Sequence, residues 1–224
     1  MLEMSRKCVP YTPVTAKLNE LTVAVVSSTA VYLEGQEPFG DDTDTTYRVI
    51  PGDANLADLR FKHGHFDEGP ARQDPNVVFP LGLLNELANE GFIRRVSNKN
   101  IGFRGFSTDL KKMYEVASPA IATEIERSQA DAVVLTGGCP VCHRVIVVAQ
   151  REIEAKGIPT VLITTVPSES KLMRPPRAIT PVGYKVGKSL GEPGDRGGQM
   201  RVLKEALLQF EMLRTPGEVV EVKF

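Results

Sequence analysis

The chain has 224 residues, of which 42% are hydrophobic, 25% charged and 6% aromatic, and its formal net charge is −1 at pH 7. This length suits one large domain, so we expect residues 1–224 to form a single unit. A nearly neutral chain without tryptophan lacks the charge and the stacking side chains of a nucleic-acid-binding protein, and nothing draws it to an anionic membrane. No apolar run approaches the ~20 residues of a membrane-spanning helix, and we see no signal peptide, so we expect a cytoplasmic protein.

The cysteines indicate where to look for chemistry. Three cysteines are too few for a disulfide framework. Cys8 lies in an N-terminal arm, while Cys139 and Cys142 form a Cys-x-x-Cys pair. In a reducing compartment such a pair is more often catalytic or metal-binding than structural.

The first predicted element is a strand over Leu21–Ser28, a nearly continuous apolar run that is typical of a strand buried on both faces. A segment rich in glycine, aspartate and proline follows from Glu34 to Val77, and it predicts a long loop insertion around residues 34–79. Loops of that length inside a compact domain are uncommon and are usually functional.

Helices are predicted after this insertion. Pro80–Gly91 places leucines on one face and ends at a glycine. Thr108–Ala117 and Ser118–Gln129 are predicted as two separate helices, because the second begins with a serine–proline pair typical of an N-cap. Near the end of the sequence, Gly197–Leu213 has apolar residues at helical spacing and predicts another helix.

The strand pattern returns at Asp131–Gly138 and at Pro159–Thr165. Between these two runs, Cys139–Gly157 has the length, the charged second half and the closing glycine of a helix. Strand, helix and strand in this order make a βαβ unit with parallel strands. We therefore expect an α/β fold, with a mainly parallel sheet and helices on both faces, a Rossmann-like three-layer sandwich.

The Cys-x-x-Cys pair lies where a buried strand is predicted to pass into a helix, the edge at which open α/β sheets bind ligands. Two glycines allow a sharp turn and a proline suits the first helical position, so Cys139 falls near the N-cap and Cys142 in the first turn. The positive end of a helix lowers a cysteine pKa from about 8.5 towards 7. An imidazolium at His143 would lower the thiol pKa further, or His143 could shuttle a proton. The pattern predicts a nucleophilic Cys139 and a second thiol able to resolve a mixed disulfide.

Other chemistries fit the same residues. Cys-x-x-Cys-His is also the attachment pattern of covalent haem, although no export signal accompanies it here. Zinc could be held by Cys139 and Cys142 together with one or two of His143, His63 and His65, although a second Cys-x-x-Cys pair is absent. The cysteines could also simply fill a junction between helix and sheet.

A second polar cluster lies in residues 62–80, KHGHFDEGPARQDPNVVFP. His63 or His65 could supply a proton or orient a carboxylate near the thiols. Asp67 and Asn76 are further candidates to bind substrate in the same pocket. The alternative is a solvated loop whose acidic and amide side chains bond the local backbone.

These segments together resemble the selenoprotein B family of glycine, sarcosine, betaine and D-proline reductases. The resemblance covers roughly Tyr11–Leu208 and rests on the stretches LTVAVVSSTAVYLEGQEPF, GHFDEG, DPNVVFPLGLLNELANEGFI, DAVVLTGGCPVCHR and EIEAKGIPTVLI. The length is similar to that of the short D-proline reductase type of subunit rather than the longer glycine reductase type.

The resemblance implies a reductase that cleaves a carbon–nitrogen bond of an amino acid or a related amine. In this family a selenolate or thiolate attacks the substrate carbon, often while a separate pyruvoyl subunit holds the amine, and a neighbouring cysteine resolves the adduct. The resemblance would make Cys139 the attacking residue and Cys142 the resolving one. The best-known members carry selenocysteine in this loop, and because a thiol is a poorer nucleophile and leaving group, the substrate should be easier to reduce or different.

The expected partners follow from what the sequence lacks. No Gly-x-Gly-x-x-Gly dinucleotide fingerprint is present, so we expect electrons from a thioredoxin-like protein or a small dithiol. No cofactor is implied beyond the redox-active cysteine pair, a pyruvoyl group would have to belong to a partner subunit, and we expect an oligomer. Two rival functions remain: a zinc-binding or regulatory module that uses Cys139, Cys142 and His143, and a cofactor-free racemase-like or lyase-like enzyme whose two cysteines act as acid and base.

Overall fold

The computed structural model describes residues 8–212 and 214–224. Its strands are β1 (Thr22–Ser28), β2 (Val31–Leu33), β3 (Tyr47–Ile50), β4 (Leu59–Phe61), β5 (Arg95–Val96), β6 (Asn100–Phe103), β7 (Ala132–Gly137), β8 (Thr160–Ile163), β9 (Ala178–Pro181) and β10 (Val220–Val222). Its helices are α1 (Gly69–Gln73), α2 (Leu81–Asn89), α3 (Leu110–Lys112), α4 (Ser118–Arg127), α5 (Cys142–Ala155), α6 (Pro167–Leu172) and α7 (Arg196–Leu208). A π turn over Met113–Ala117 joins α3 to α4, and single 3-10 turns lie at Leu18–Glu20, Leu56–Asp58, Pro75–Val77 and Gln209–Glu211.

The main sheet has the strand order β10-β9-β8-β7-β1-β6-β3, and β5 also pairs with β1. Every pairing in this sheet is parallel except that of β3 with β6 at one edge. At the centre, β1 and β7 run side by side over six residue pairs, with Val25 opposite Val134. The mainly parallel α/β sheet expected from the sequence is confirmed.

Helices cover both faces of the sheet. In β1, Val23 and Val25 belong to one hydrophobic core, while Ala24 and Val26 belong to the other. Helices α2 and α7 contribute to the first core, and α4 and α5 contribute to the second. All residues of β1 and β7 are therefore buried, which is why their sequences are continuous apolar runs rather than alternating ones. The three-layer arrangement is confirmed.

Helix α4 begins at Ser118 as predicted, but the expected N-cap at Ser118 is wrong, because the chain is already helical through the preceding π turn. Ser118 has helical dihedral angles, φ −63° and ψ −44°, and its N–H donates to the carbonyl oxygen of Met113, five residues earlier. Its hydroxyl also donates to that carbonyl oxygen, at 3.0 Å. A proline inside a helix lacks one N–H and crowds the preceding turn. The wider π turn accommodates Pro119 at this point, so the helix continues instead of starting again.

The segment from Glu34 to Val77 contains more regular structure than its composition indicates. Strand β3 pairs with β6 in the main sheet, and β4 pairs with β2 in a separate two-stranded antiparallel sheet. Helix α1 follows β4 and ends just before the 3-10 turn that leads to α2. The segment thus brings residues from distant parts of the chain to the edge where the central strands end.

The remaining helix predictions are close to the observed elements. Helix α7 and the 3-10 turn after it occupy most of the range predicted as Gly197–Leu213, of which Leu213 lies outside the described residues. Within residues 8–212 and 214–224, no helix has both the length and the apolar character required to cross a lipid bilayer.

Candidate functional site

The cysteine loop crosses the carboxyl edge of the sheet. Strands β1, β6, β7 and β8 all run in the same direction, so their last residues meet at this edge. The loop between β7 and α5 carries Cys139 there, and the segment after β4, residues 63–66, reaches the same place. Ligands of open α/β sheets bind at such an edge.

Two glycines make room for the close approach. A Cβ atom on Gly105, which follows β6, would lie 2.8 Å from the Sγ atom of Cys142. A Cβ atom on Gly138 would lie 2.8 Å from the ring of Phe66. These separations are shorter than a carbon atom tolerates, so the packing of Cys142 and Phe66 requires glycine at both positions.

Cys139 caps the start of α5 with its side chain. The N–H of Cys142 donates to the Sγ atom of Cys139 at 3.3 Å, and the N–H of His143 donates to the carbonyl oxygen of Cys139 at 3.3 Å. The predicted position of this cysteine at the helix start is confirmed. A hydrogen bond from the thiol of Cys142, and then the N–H groups of Cys142 and Val141, outweigh burial and lower the pKa of Cys139 to about 7.

Cys142 is the protonated member of the pair. Its Sγ atom lies 2.8 Å from Sγ of Cys139 and 2.9 Å from Nε2 of His63, and both cysteines are free thiols. Burial, and then the hydrogen bond and charge of Cys139, raise the pKa of Cys142 well above its usual value. Cys139 therefore ionises first, and the thiol of Cys142 donates a hydrogen bond to its sulfur.

His63 is the histidine that contacts the sulfur atoms. Its Nδ1 accepts the N–H of His65 at 3.3 Å, so the proton of the neutral ring is on Nε2, facing Cys142. Burial and then the charge of Arg104 lower the pKa of His63 to about 3. The ring is therefore neutral at pH 7 and donates a hydrogen bond to sulfur without adding a charge.

His65 lies beside this group and is bound by two further residues. Its Nε2 is 2.9 Å from a carboxylate oxygen of Asp42, and its ring stacks on Phe106 with 3.8 Å between centroids. Arg104 binds the same oxygen of Asp42 and donates to the carbonyl oxygen of Gly40 at 2.7 Å. The hydrogen bond from His65 lowers the pKa of Asp42. The side chain of His65 is 34% exposed, which makes it the accessible histidine of the group.

His143 does not contact the sulfur atoms, in contrast to the expectation from sequence. Its Nδ1 and Nε2 lie 3.0 Å and 3.1 Å from the hydroxyl groups of Thr164 and Thr165, which follow β8. Burial lowers the pKa of His143 to about 3. The expected imidazolium, which would have lowered the thiol pKa, is therefore not present near neutral pH. The reason is that the first turn of α5 directs this side chain towards β8 and Cys142 towards β1 and β6.

Asp67 and Asn76 contact the backbone at the starts of helices. Asp67 accepts the N–H of Gly69 at 2.9 Å, and its side chain is exposed. Asn76 accepts the N–H groups of Gly82 and Leu83 at 3.1 Å and 3.3 Å, at the start of α2. The structure therefore brings His63 and His65 to the cysteines, but it gives Asp67 and Asn76 local capping contacts instead.

Three ligand atoms of the site could hold a metal ion. Nε2 of His63 and the sulfur atoms of Cys139 and Cys142 all lie within 4.8 Å of one another, and all three residues are buried. The sequence-based alternative offered one or two of His143, His63 and His65 as ligands beside the two cysteines. His143 has its ring nitrogens on threonine hydroxyl groups and Nε2 of His65 binds Asp42, so of these three histidines His63 is the one grouped with the cysteines.

Sequence reasoning missed Asp42, Arg104 and Phe66. Phe66 lies within the second polar cluster and stands 5.1 Å from the ring of His63, centroid to centroid. Its place in the sequence, between the candidate residues His65 and Asp67, is the signal that could have identified Phe66. Asp42 and Arg104 are separated by 62 residues, and no local pattern connects them.

Similarity to known proteins extends over most of the chain. The profile of the family described as glycine/sarcosine/betaine reductase selenoprotein B matches residues 2–138, which is more than half of the chain. D-proline reductase subunit gamma of Acetoanaerobium sticklandii is 37% identical over 214 residues, which cover 96% of this chain and 88% of that protein. No solved structure matched the chain.

Longer relatives match with lower identity. The glycine reductase complex component B subunit gamma of Carboxydothermus hydrogenoformans is 28% identical over 207 residues, which cover 90% of this chain and 47% of that protein. The sarcosine reductase complex component B subunit beta of Peptoclostridium acidaminophilum is 25% identical over 207 residues, with the same two coverages, 90% and 47%. The chain spans about half the length of these two relatives.

Proposed function

Because the chain belongs to the glycine/sarcosine/betaine reductase selenoprotein B family, we propose that it is the thiol-bearing subunit of a reductase that cleaves a carbon–nitrogen bond. The substrate class is an amino acid or a related amine, since the relatives are named for D-proline, glycine and sarcosine. Two of those names also describe a component of a complex, which supports a partner subunit for this chain.

One observation carries this proposal. The sulfur of Cys139 accepts a hydrogen bond at the start of a helix, 2.8 Å from a second sulfur that keeps its proton. Helix starts stabilise thiolates, and a neighbouring thiol can resolve an adduct by attack on sulfur. The arrangement supports Cys139 as the nucleophile and Cys142 as the resolving residue.

The proposed reaction has two steps on the protein. The thiolate of Cys139 attacks the substrate carbon, the carbon–nitrogen bond breaks, and the amine leaves with its bonding electron pair and takes up a proton. Cys142 then gives up its proton, and its sulfur attacks the sulfur of Cys139. The sulfur–carbon bond breaks, its electron pair stays on carbon, and that carbon takes up a proton. The disulfide that forms is the oxidised product, and a thioredoxin-like protein or a small dithiol reduces it.

The neighbouring histidines have different parts in this scheme. His65, held by Asp42 and partly exposed, is placed to give the proton to the leaving amine. His63 donates from Nε2 to Cys142 and can stabilise its thiolate when that residue attacks. A pyruvoyl group that activates the amine would be supplied by the partner subunit.

Access to Cys139 requires a local movement. Only 2% of Cys139 is exposed, and Cys142 is fully buried. The ring of Phe66 packs between the backbone at Gly138 and at Gly187, where an added Cβ would in each case lie 2.8 Å from the ring. Movement of the segment after β4 would therefore uncover the nucleophile, and docking of the partner subunit is the step that we propose to drive it.

The racemase-like or lyase-like rival is less well supported. Two cysteines that act as acid and base must stand on opposite sides of one carbon, whereas these two sulfur atoms are in contact. Cys8 is exposed, and its carbonyl oxygen accepts a hydrogen bond from Arg151 in the second half of α5, away from the cysteine loop. Cys8 is therefore not placed to act with Cys139 on one substrate.

Single substitutions in the assembled reductase test the proposed function. With D-proline, glycine, sarcosine and betaine as substrates and a dithiol as reductant, Cys139→Ser should abolish turnover. Cys142→Ser should also stop turnover, but intact-mass measurement should show the chain carrying a covalent substrate adduct. Cys8→Ser is the matched control and should retain full activity. Full activity in both site variants would refute the assigned roles.

A further inference from the structure

We propose that the reduced protein binds one Zn²⁺ ion through His63, Cys139 and Cys142, and that the bound ion reversibly blocks the two thiols. This goes beyond the proposed reaction, in which no metal takes part. Binding itself does not require that reaction to be correct, because it depends only on three ligand atoms and on their reduced state.

The three ligand atoms are already gathered. Sγ of Cys142 is 2.8 Å from Sγ of Cys139 and 2.9 Å from Nε2 of His63, and no pair among the three atoms exceeds 4.8 Å. Ligands of tetrahedral zinc, with Zn–S of about 2.3 Å and Zn–N of about 2.0 Å, lie roughly 3.4–3.8 Å apart. Opening the two short contacts by about 1 Å, through small rotations of the cysteine side chains, gives this separation. The hydrogen bonds that now join the atoms are replaced by bonds to the metal.

The charge of the site selects a divalent, sulfur-binding cation. All three residues are buried, so an uncompensated charge would be costly. Two thiolates and a neutral imidazole bring a charge of −2, which one Zn²⁺ ion neutralises, while the thiol protons are released to solvent. A monovalent ion would leave a net negative charge, and Mg²⁺ or Ca²⁺ prefers oxygen ligands.

Of the three histidines near the site, His63 is the one placed to bind the zinc ion through a ring nitrogen. Both ring nitrogens of His143 are bound to threonine hydroxyl groups, and Nε2 of His65 is bound to Asp42. Ligation through Nε2 moves the proton of His63 to Nδ1 and gives up the 3.3 Å hydrogen bond from the N–H of His65. The hydrogen bonds that join the three ligand atoms, and the long hydrogen bond from His65, are thus exchanged for three metal–ligand bonds. The fourth position is left for water, as in zinc sites that keep an open position.

The ion and the thiol reaction exclude each other. A sulfur atom bound to zinc is not free to attack carbon, and a disulfide between Cys139 and Cys142 offers no thiolate to the metal. Oxidation should therefore release the ion, and a chelator should restore the reactivity of the reduced thiols.

Zinc titration of the full chain, reduced and freed of metal, tests this proposal. Competition with a chromophoric chelator should give one Zn²⁺ per chain, and none after the cysteine pair is oxidised. His63→Gln should weaken binding by more than about 100-fold, since even changes behind the ligands cost about 10–100-fold. The matched control is His65→Gln, which keeps the backbone N–H and should leave the zinc affinity unchanged. The absence of stoichiometric binding, or equal affinities in wild type and His63→Gln, would overturn the proposal.

Cobalt provides a second readout that needs no variant. Co²⁺ in place of Zn²⁺ should give the intense visible bands of a tetrahedral site and a sulfur-to-metal charge-transfer band. Weak octahedral bands without charge transfer would overturn the site. Thiol titration of the same protein with chelator present tests the proposed function separately, because that function expects two thiols to be lost together on oxidation whether or not the metal binds.

Discussion

Cys139 and Cys142 carry the same side chain in different surroundings. The sulfur of Cys139 accepts N–H groups at the helix start, whereas Cys142 is enclosed and faces the neighbouring sulfur and His63. With the pKa of Cys139 lowered to about 7, its thiolate forms as pH rises through that value. In Cys8→Ser protein with chelator present, we expect the rate at which iodoacetamide alkylates Cys139 to rise with pH, with a midpoint near 7. Peptide mass mapping measures the alkylation of this residue.

Two comparisons make this prediction specific. An unperturbed cysteine gives a midpoint of about 8.5, so a small thiol assayed in parallel is the reference. Adding Cys139→Ser to the Cys8→Ser background should remove the reaction below pH 8, because the pKa of Cys142 is raised by burial. A midpoint at or above that of the reference thiol would mean that the helix start does not stabilise the thiolate.

At the scale of residues, the sequence predicted what local spacing determines. Two glycines, a cysteine and a proline after an apolar run are enough to place Cys139 at the start of a helix. The contact of Cys142 with His63 joins residues 79 positions apart, so no local pattern could reveal it. His143 is next to Cys142 in sequence, yet successive residues of a helix point in directions about 100° apart. Sequence adjacency was therefore a poor guide to which histidine contacts sulfur.

At the scale of elements, the long strands were predictable and the short ones were not. Strands β1 and β7 have seven and six buried residues, and their apolar runs identify them. Strands β3 and β4 have four and three residues of mixed burial, and each is held by a partner elsewhere in the chain. Pairing rather than local propensity forms such strands. The composition of residues 34–79 therefore predicted a loop where the structure has strands.

The ring of Phe66 covers the cysteine loop, and a substitution of Phe66 tests this role. Its ring packs against Gly138, next to Cys139, and against Gly187. Phe66→Ala should uncover the sulfur, so alkylation of Cys139 at a fixed pH should become several-fold faster while the pH midpoint stays the same. Phe92→Ala is a matched control, because this half-buried ring packs under Lys204 instead. Equal alkylation rates in wild type and Phe66→Ala would show that Phe66 does not limit access.

At the scale of the whole molecule, α5 connects the candidate site to a buried ion pair. Glu154, near the end of α5, contacts Arg177 at 3.3 Å, and the two side chains are 0% and 1% exposed. Glu154 also accepts the N–H of Thr12 at 2.6 Å and the N–H of Thr160 at 2.8 Å. Arg177 in turn lies over the ring of Tyr11, 4.5 Å from its centroid. The carboxylate of Glu154 thus links the N-terminal segment, at Thr12, to α5 and to β8, at Thr160.

Glu154→Ala should therefore lower the free energy of unfolding substantially. Removing one partner of a buried pair leaves an uncompensated charge and costs about 3–5 kcal/mol. Urea unfolding followed by circular dichroism measures this loss. Glu34→Ala is the matched control, since Glu34 and Arg60 form an exposed pair, 65% and 42% accessible, and such pairs contribute about 0–1 kcal/mol. Below the unfolding transition, alkylation of Cys139 should be unchanged, because Glu154 lies twelve residues, about 18 Å, along α5 from Cys142. Equal losses of unfolding free energy in the two variants would mean that buried Arg177 does not depend on Glu154. A change in the alkylation rate of Cys139 would show that the ion pair also sets the geometry of the cysteine loop.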